Sequence, residues 1–310
     1  MQKLRFPIAS KLMFLTVLLL LAATVPIAFR SSDKFEEVSS QREADTTREQ
    51  ASARAIEVDT ISMNYIDKVR LMATLYLKST VDSERGPFDL AFNQDRDLVS
   101  IEVWHLNNGH PELVGRKVKD EYLKTYKVSA DYLETLRSKK PFPLHNVFND
   151  SIEFRNATIP DGVPLLTVAL PFVKDDAGFI THVALANIRL DRLEKVFSER
   201  GERLMYLVDR DGNLLAHPDE KLVEAGTNLA GNTLVQRALK SKVLKEQMTF
   251  NEPGVGTFVG AYAKTSLNLM VLVQVSQEII LEPARNLRHQ AFYITGWVLS
   301  LALFFIVLFS

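Results

Sequence analysis

The chain has 310 residues, and its 37 basic and 38 acidic side chains nearly cancel to a formal charge of −1. No basic run is long enough to track a phosphate backbone, which argues against a nucleic acid partner. With no cysteine the fold uses no disulfide staples, and the length suits one large domain or two small ones.

In chain order, residues 1–11 carry Lys3, Arg5 and Lys11, and Leu12 to Phe29 (LMFLTVLLLLAATVPIAF) carry no charge. A helix of that length, rising about 1.5 Å per residue, just spans a hydrocarbon core of roughly 30 Å. A cleaved signal peptide is the competing reading. The apolar run exceeds a typical signal h-region, however, and Pro26-Ile27-Ala28 is a poor cleavage site, so an uncleaved anchor with a cytoplasmic N-terminus is favoured. Residues 30–80 are polar and free of Pro and Gly. Val58, Ile61, Tyr65, Val69, Met72 and Tyr76 recur every three or four positions, the mark of a long helix with one apolar stripe. Its first half holds only a broken heptad, read equally well as a solvated stalk or as a dimer-forming one.

Beyond Gly86 the pattern turns to short strands and turn chemistry. Strands are expected over 98–105 and 111–115, a helical stretch over 120–140, and strands over 147–154, 163–173 and 179–190. From Arg203 the order repeats: strands 203–209 and 213–218 about Arg210-Asp211-Gly212, a helical stretch 232–243, then strands 246–251, 256–264 and 267–276. Two hairpin strands, a helical insert and three antiparallel strands therefore occur twice. Each set predicts a five-stranded antiparallel sheet with helices on one face, an α+β unit with room for a pocket between the layers. The expected units are 81–200 and 201–280. A linker helix over 281–290 follows, and then a second uncharged run, 291–309, which would return the chain to the cytoplasm. A span there normally leads to a further domain, so the sequence reads as the front part of a longer receptor.

This arrangement resembles the double Cache (PAS-like) extracellular sensor family. Gly178 to Leu193 (GFITHVALANIRLDRL) looks like the end of the family's membrane-distal unit. Tyr206 to Asp219 (YLVDRDGNLLAHPD) looks like the hairpin that opens the proximal unit, with Gly226-Thr-Asn-Leu229 as the loop after it. The resemblance implies a bacterial inner-membrane receptor with residues 30–290 in the periplasm. Such a receptor binds a small molecule in the distal unit and drives a cytoplasmic output: a nucleotide cyclase first, otherwise a chemoreceptor domain, a histidine kinase or a diguanylate cyclase. It also implies a homodimer.

One subfamily holds amino acids through a Tyr-x4-Arg helix end, an aromatic pair after that Arg, and an Asp on the last distal strand. Tyr132 and Arg137 keep the first spacing, but Ser138, Lys139 and Lys140 replace the aromatics and Asn187 stands where the Asp would be. An α-ammonium needs a buried carboxylate, which Asn187 cannot supply. An anion such as a carboxylate, held by Arg137 or a nearby Lys, fits better. The expected ligand-binding set is Trp104, Tyr132, Arg137, Phe172 and Asn187, with ordinary core and a solvated helix end as the competing reading.

No chemistry is signalled elsewhere. The six histidines are scattered singles without metal-ligand spacing, G-x-S-x-G is absent, and Asp209 to Glu220 does not keep the calcium-loop pattern. The chain is accordingly expected to be neither an enzyme nor a cofactor or metal carrier. A membrane-anchored hydrolase and a partner-binding module without a ligand are the weaker alternatives.

Overall fold

The computed structural model describes residues 8–81, 86–107, 109–125, 129, 131–139, 142–158, 164–199 and 201–308. One uninterrupted helix, α1 (Ile8–Val81), runs through both the expected first span and the stalk. Of the predicted stripe, Val58, Tyr65, Val69 and Met72 are buried, and Ile61 and Tyr76 pack against the same core. A short helix not expected from the sequence, α2 (Gly86–Gln94), adds Phe88 and Phe92 to that core.

The distal sheet follows: β1 (Leu98–Asn107), β2 (His110–Val118), β3 (Glu153–Asn156), β4 (Leu165–Lys174) and β5 (Ile180–Arg189). Its spatial order is β2-β1-β5-β4-β3, antiparallel throughout. The insert between β2 and β3 is α3 (Asp120–Thr125), α4 (Tyr132–Lys139) and α5 (Leu144–Phe148). Here the structure corrects the expected strand 147–154. Pro143 stands at the N-cap of α5, and Asp150 turns the chain with a φ of 66°, so the strand starts only at Glu153.

The connector α6 (Asp191–Phe197) leads to the proximal sheet: β6 (Arg203–Val208), β7 (Leu214–Ala216), β8 (Lys245–Glu252), β9 (Gly256–Lys264) and β10 (Met270–Ser276), ordered β7-β6-β10-β9-β8. The two sheets share one strand order, as the sequence repeat predicts. Between β7 and β8 lie α7 (Glu220–Glu224) and α8 (Thr233–Lys240). Asn232 caps α8 by accepting from Leu234 N and Val235 N at 3.1 and 3.4 Å, a motif that stabilises a helix by about 1 kcal/mol. The helix α9 (Gln277–Leu308) follows β10 without a loop.

Helices on one face only was too simple an expectation. The small helices cover one face of each sheet, while α1 lies along the opposite face, touching β1, β4 and β5 and then β8, β9 and β10. Polar clasps fasten it, among them the pairing of Lys68 with Asp95 and Asp97. Asp59 accepts from Ser266 N and Oγ, Glu43 takes a two-pronged bond from Arg203, and Glu36 pairs with Arg288 of α9. Among the described residues no helix is long and apolar enough to cross a membrane.

Candidate functional site

Alternation along the distal strands sorts side chains between the two faces. Ile101, Val103, Phe154, Leu166, Val168, Ala184 and Ala186 join the core beneath α1. The other face, under α3–α5, receives Ser100, Glu102 and Trp104 of β1, Glu153 and Arg155 of β3, Thr167 of β4 and Asn187 of β5. The register sets these side by side: Ser100 opposite Asn187, Asn187 opposite Thr167, Thr167 opposite Arg155.

Each buried polar group on this face has acquired partners. Asn187, fully buried, donates to Ser100 Oγ at 2.7 Å and accepts from Thr167 Oγ1 at 2.7 Å. Glu102, 1% exposed, accepts through Oε2 from Arg137 Nε and Nη2 at 3.3 and 3.2 Å and from Trp104 Nε1 at 3.4 Å. Its Oε1 is buried with no partner among the described residues. Arg137 also lies over the Phe142 ring, 5.8 Å from the centroid. The buried Glu153 accepts from Arg155 Nε at 3.3 Å, from Asn146 Nδ2 at 3.3 Å and from Arg210.

A cavity of about 200 Å³ opens beside these groups, lined by Arg137, Phe142, Arg155, Thr167, Asp211 and Asn213 among others. Asp211 and Asn213 belong to the β6–β7 turn of the proximal sheet, so the cavity is bounded by both units. The buried Asp209 builds that turn. Its Oδ1 accepts from Asp211 N and Asn213 N at 3.0 and 2.9 Å, and its Oδ2 accepts from Asn156 N of β3 at 3.4 Å. Burial raises the Asp209 carboxyl above the usual range, while these donors pull it back down. Gly212 fits here because its φ is 82° and a Cβ would stand 2.9 Å from Ala230 Cβ.

The expected ligand residues are not all brought together. Arg137 lines the cavity. Tyr132 begins α4, but its side chain lies outside the described residues. Asn187 sits behind Thr167 in the hydrogen-bonded ladder, and Trp104 packs with Val183 and Leu185 further along the sheet. Phe172 is on the other face, against the α1-side core and 6.1 Å from the His182 ring. Sequence reasoning missed Arg155, Thr167, Asp211 and Asn213. Arg155 had one signal, a cation alternating with buried Phe154 in a short strand. The histidines are less scattered than the sequence suggests: His105 and His182 face each other across β1 and β5 with centroids 4.6 Å apart. Burial, then the charge of His105, lowers the His182 pKa. Among the described residues no cluster of three or more His, Asp or Glu is disposed to hold a metal ion.

No protein-family model matches the chain, and no curated protein matches it. Solved structures do. The extracellular domain of the candidate histidine kinase mmHK1S-Z2 superposes with a TM-score of 0.51 at 14% identity, covering 76% of this chain and 98% of its own. That of mmHK1S-Z3 gives 0.50 at 13% identity, covering 80% and 98%. The ligand-binding domain of the Pseudomonas aeruginosa PAO1 amino acid chemoreceptor PctB, solved with L-Arg, gives 0.48 at 16% identity over 77% and 97%. The chain shares the fold of the mmHK1S-Z2 and mmHK1S-Z3 extracellular domains. At these identities the likeness is one of fold, and the site has to be argued from its own residues.

Proposed function

We propose that this chain is the periplasmic sensor region of a two-pass bacterial inner-membrane receptor, and that its distal cavity binds a small carboxylate. The observation that carries the reading is the pair of guanidinium groups, Arg137 and Arg155, on one small cavity between sheet and helices. Both are held by buried carboxylates behind them, Glu102 and Glu153, which orient each planar fork before a ligand arrives. The role is binding, not catalysis.

Membrane anchoring is supported by the ends of α1 and α9. Leu15, Leu18, Leu19 and Ile27 on one, and Ile294, Trp297, Val298, Leu301 and Phe304 on the other, are exposed large apolar side chains on uncharged helix. Surfaces of that extent call for a hydrocarbon solvent. Signal would pass along β10 into α9 and on to a cytoplasmic output domain, with a nucleotide cyclase the first to test. Exposed Ile56 and Met63, seven residues apart on α1, support a homodimer joined along that helix.

The test is calorimetric titration of the full chain in lipid nanodiscs with pyruvate, succinate, malate and the common amino acids. Saturable binding of a carboxylate, lost in Arg137→Ala and Arg155→Ala, is the expected result; binding that survives both substitutions refutes the site. Topology is read separately, since the chain has no cysteine to confuse labelling. A cysteine replacing Ser138 should react with an impermeant maleimide on intact spheroplasts, and one replacing Ser10 should not.

A further inference from the structure

Besides the ion pair of Arg210 with Glu153, two contacts join the units at the cavity. The first is a buried pin: Asn156 N bonds Asp209, and Asn156 Nδ2 bonds the Leu214 carbonyl. The second is an ion pair between Arg155 Nη1 on the distal strand and Asp211 at the tip of the proximal turn. Both members of this pair line the cavity, and the Asp211 side chain is 47% exposed. It can therefore leave Arg155 for water without stranding a buried charge. Arg155 would not collapse in its absence, because Glu153 still holds Nε and leaves the Nη edge presented to the cavity.

We propose that Asp211 is a resident stand-in for the ligand: a carboxylate entering the cavity takes the Nη edge of Arg155 in exchange for Asp211 and so releases the tip of the proximal turn from the distal strand. The turn belongs to β6, which is hydrogen-bonded to β10 along its length, and β10 runs straight into α9. Ligand exchange at one side chain thus reaches the exit helix through one layer of paired strands. The buried pin and the Arg210–Glu153 pair keep the units together meanwhile, so the change is a loosening of one contact and not a separation. This inference rests on the carboxylate reading of the cavity and adds its regulation.

The experiment uses the full chain in nanodiscs as wild type, Asp211→Asn and Asp211→Ser, titrated with pyruvate, succinate and malate, with amide hydrogen exchange followed over residues 209–216. Removing the stand-in should tighten carboxylate binding about two- to fivefold, the worth of a partly exposed ion pair. Saturating carboxylate should speed exchange at Asp211 to Asn213 in the wild type and leave it unchanged in both variants, whose turn is already free. Wild-type binding with equal or weaker affinity in the variants overturns the stand-in and spares the site. So does hydrogen exchange that ignores the ligand. Absence of binding by wild type and variants alike overturns the carboxylate site itself, and the inference with it.

Discussion

The two units are built on the same strand order and differ in what fills the space beneath their inserted helices. In the proximal unit α8 lays Leu234, Val235 and Ala238 over the sheet, all of them fully buried. The fit is close enough that a Cβ on Gly260 would stand 2.8 Å from Phe250 and 2.9 Å from Leu234. In the distal unit the corresponding space holds Glu102, Arg137, Glu153 and Arg155 around a cavity. The proximal unit shows that an inserted helix can seat on this sheet through apolar side chains. Buried ion pairs seldom stabilise more than the apolar packing that could replace them. The distal charges are those to which the proposed binding role is assigned.

Substitutions can break this contrast. Leu234→Ala should cost about 3 kcal/mol by opening a cavity in the filled unit, read by denaturant unfolding, with carboxylate affinity unchanged. If affinity fell in step, the two units would not be separable. Arg137→Ala should weaken carboxylate binding about tenfold by the loss of a charge-assisted pair, and should also cost about 3 kcal/mol of stability because Glu102 is left buried without its cation.

A pH experiment sharpens the contrast at the connector. Glu194 on α6 is pushed up to about 7 by burial first and then by the carboxylates of Asp191, Glu220 and Glu224. Its folded pKa exceeds its unfolded one, so between roughly pH 4.5 and 7 the folded state holds a proton that the unfolded state has lost. Stability should fall as pH rises through that window, and Glu194→Gln should flatten the slope of Tm against pH there. An unchanged slope would place the titration elsewhere. The smallest effect belongs to Arg237, whose two bonds to Glu246, at 2.9 and 2.6 Å, lie on the exposed surface. Arg237→Ala should leave Tm and binding within error, and high salt should change neither.

Much of the fold was legible in the sequence because it rests on local periodicity. The stripe from Val58 to Met72 needed only a helix with something apolar beside it, and the repeated strand runs needed only alternation and turn residues such as Asp211-Gly212. The site was legible in one residue. Arg137 kept a recognisable spacing, whereas Phe172 lies in a run apolar on both sides, LLTVALPFV, where period two cannot say which face meets the helices. Asn187 was placed on the right strand, but its amide is consumed by Ser100 and Thr167.

By itself the sequence determined the α+β class, the two-fold repetition of the unit and the helix that threads it, since each follows from side chains a few positions apart. Tertiary structure alone decided the composition of the cavity. Arg155 meets Asp211 because β3 and the β6–β7 turn are edge elements of different sheets brought together by the pin of Asn156 on Asp209 and Leu214. An acidic turn that looks like nothing more than a corner of one unit is, once both units are folded, a wall of the other's pocket. Charge pairing at that distance in sequence has no periodicity to announce it, only geometry.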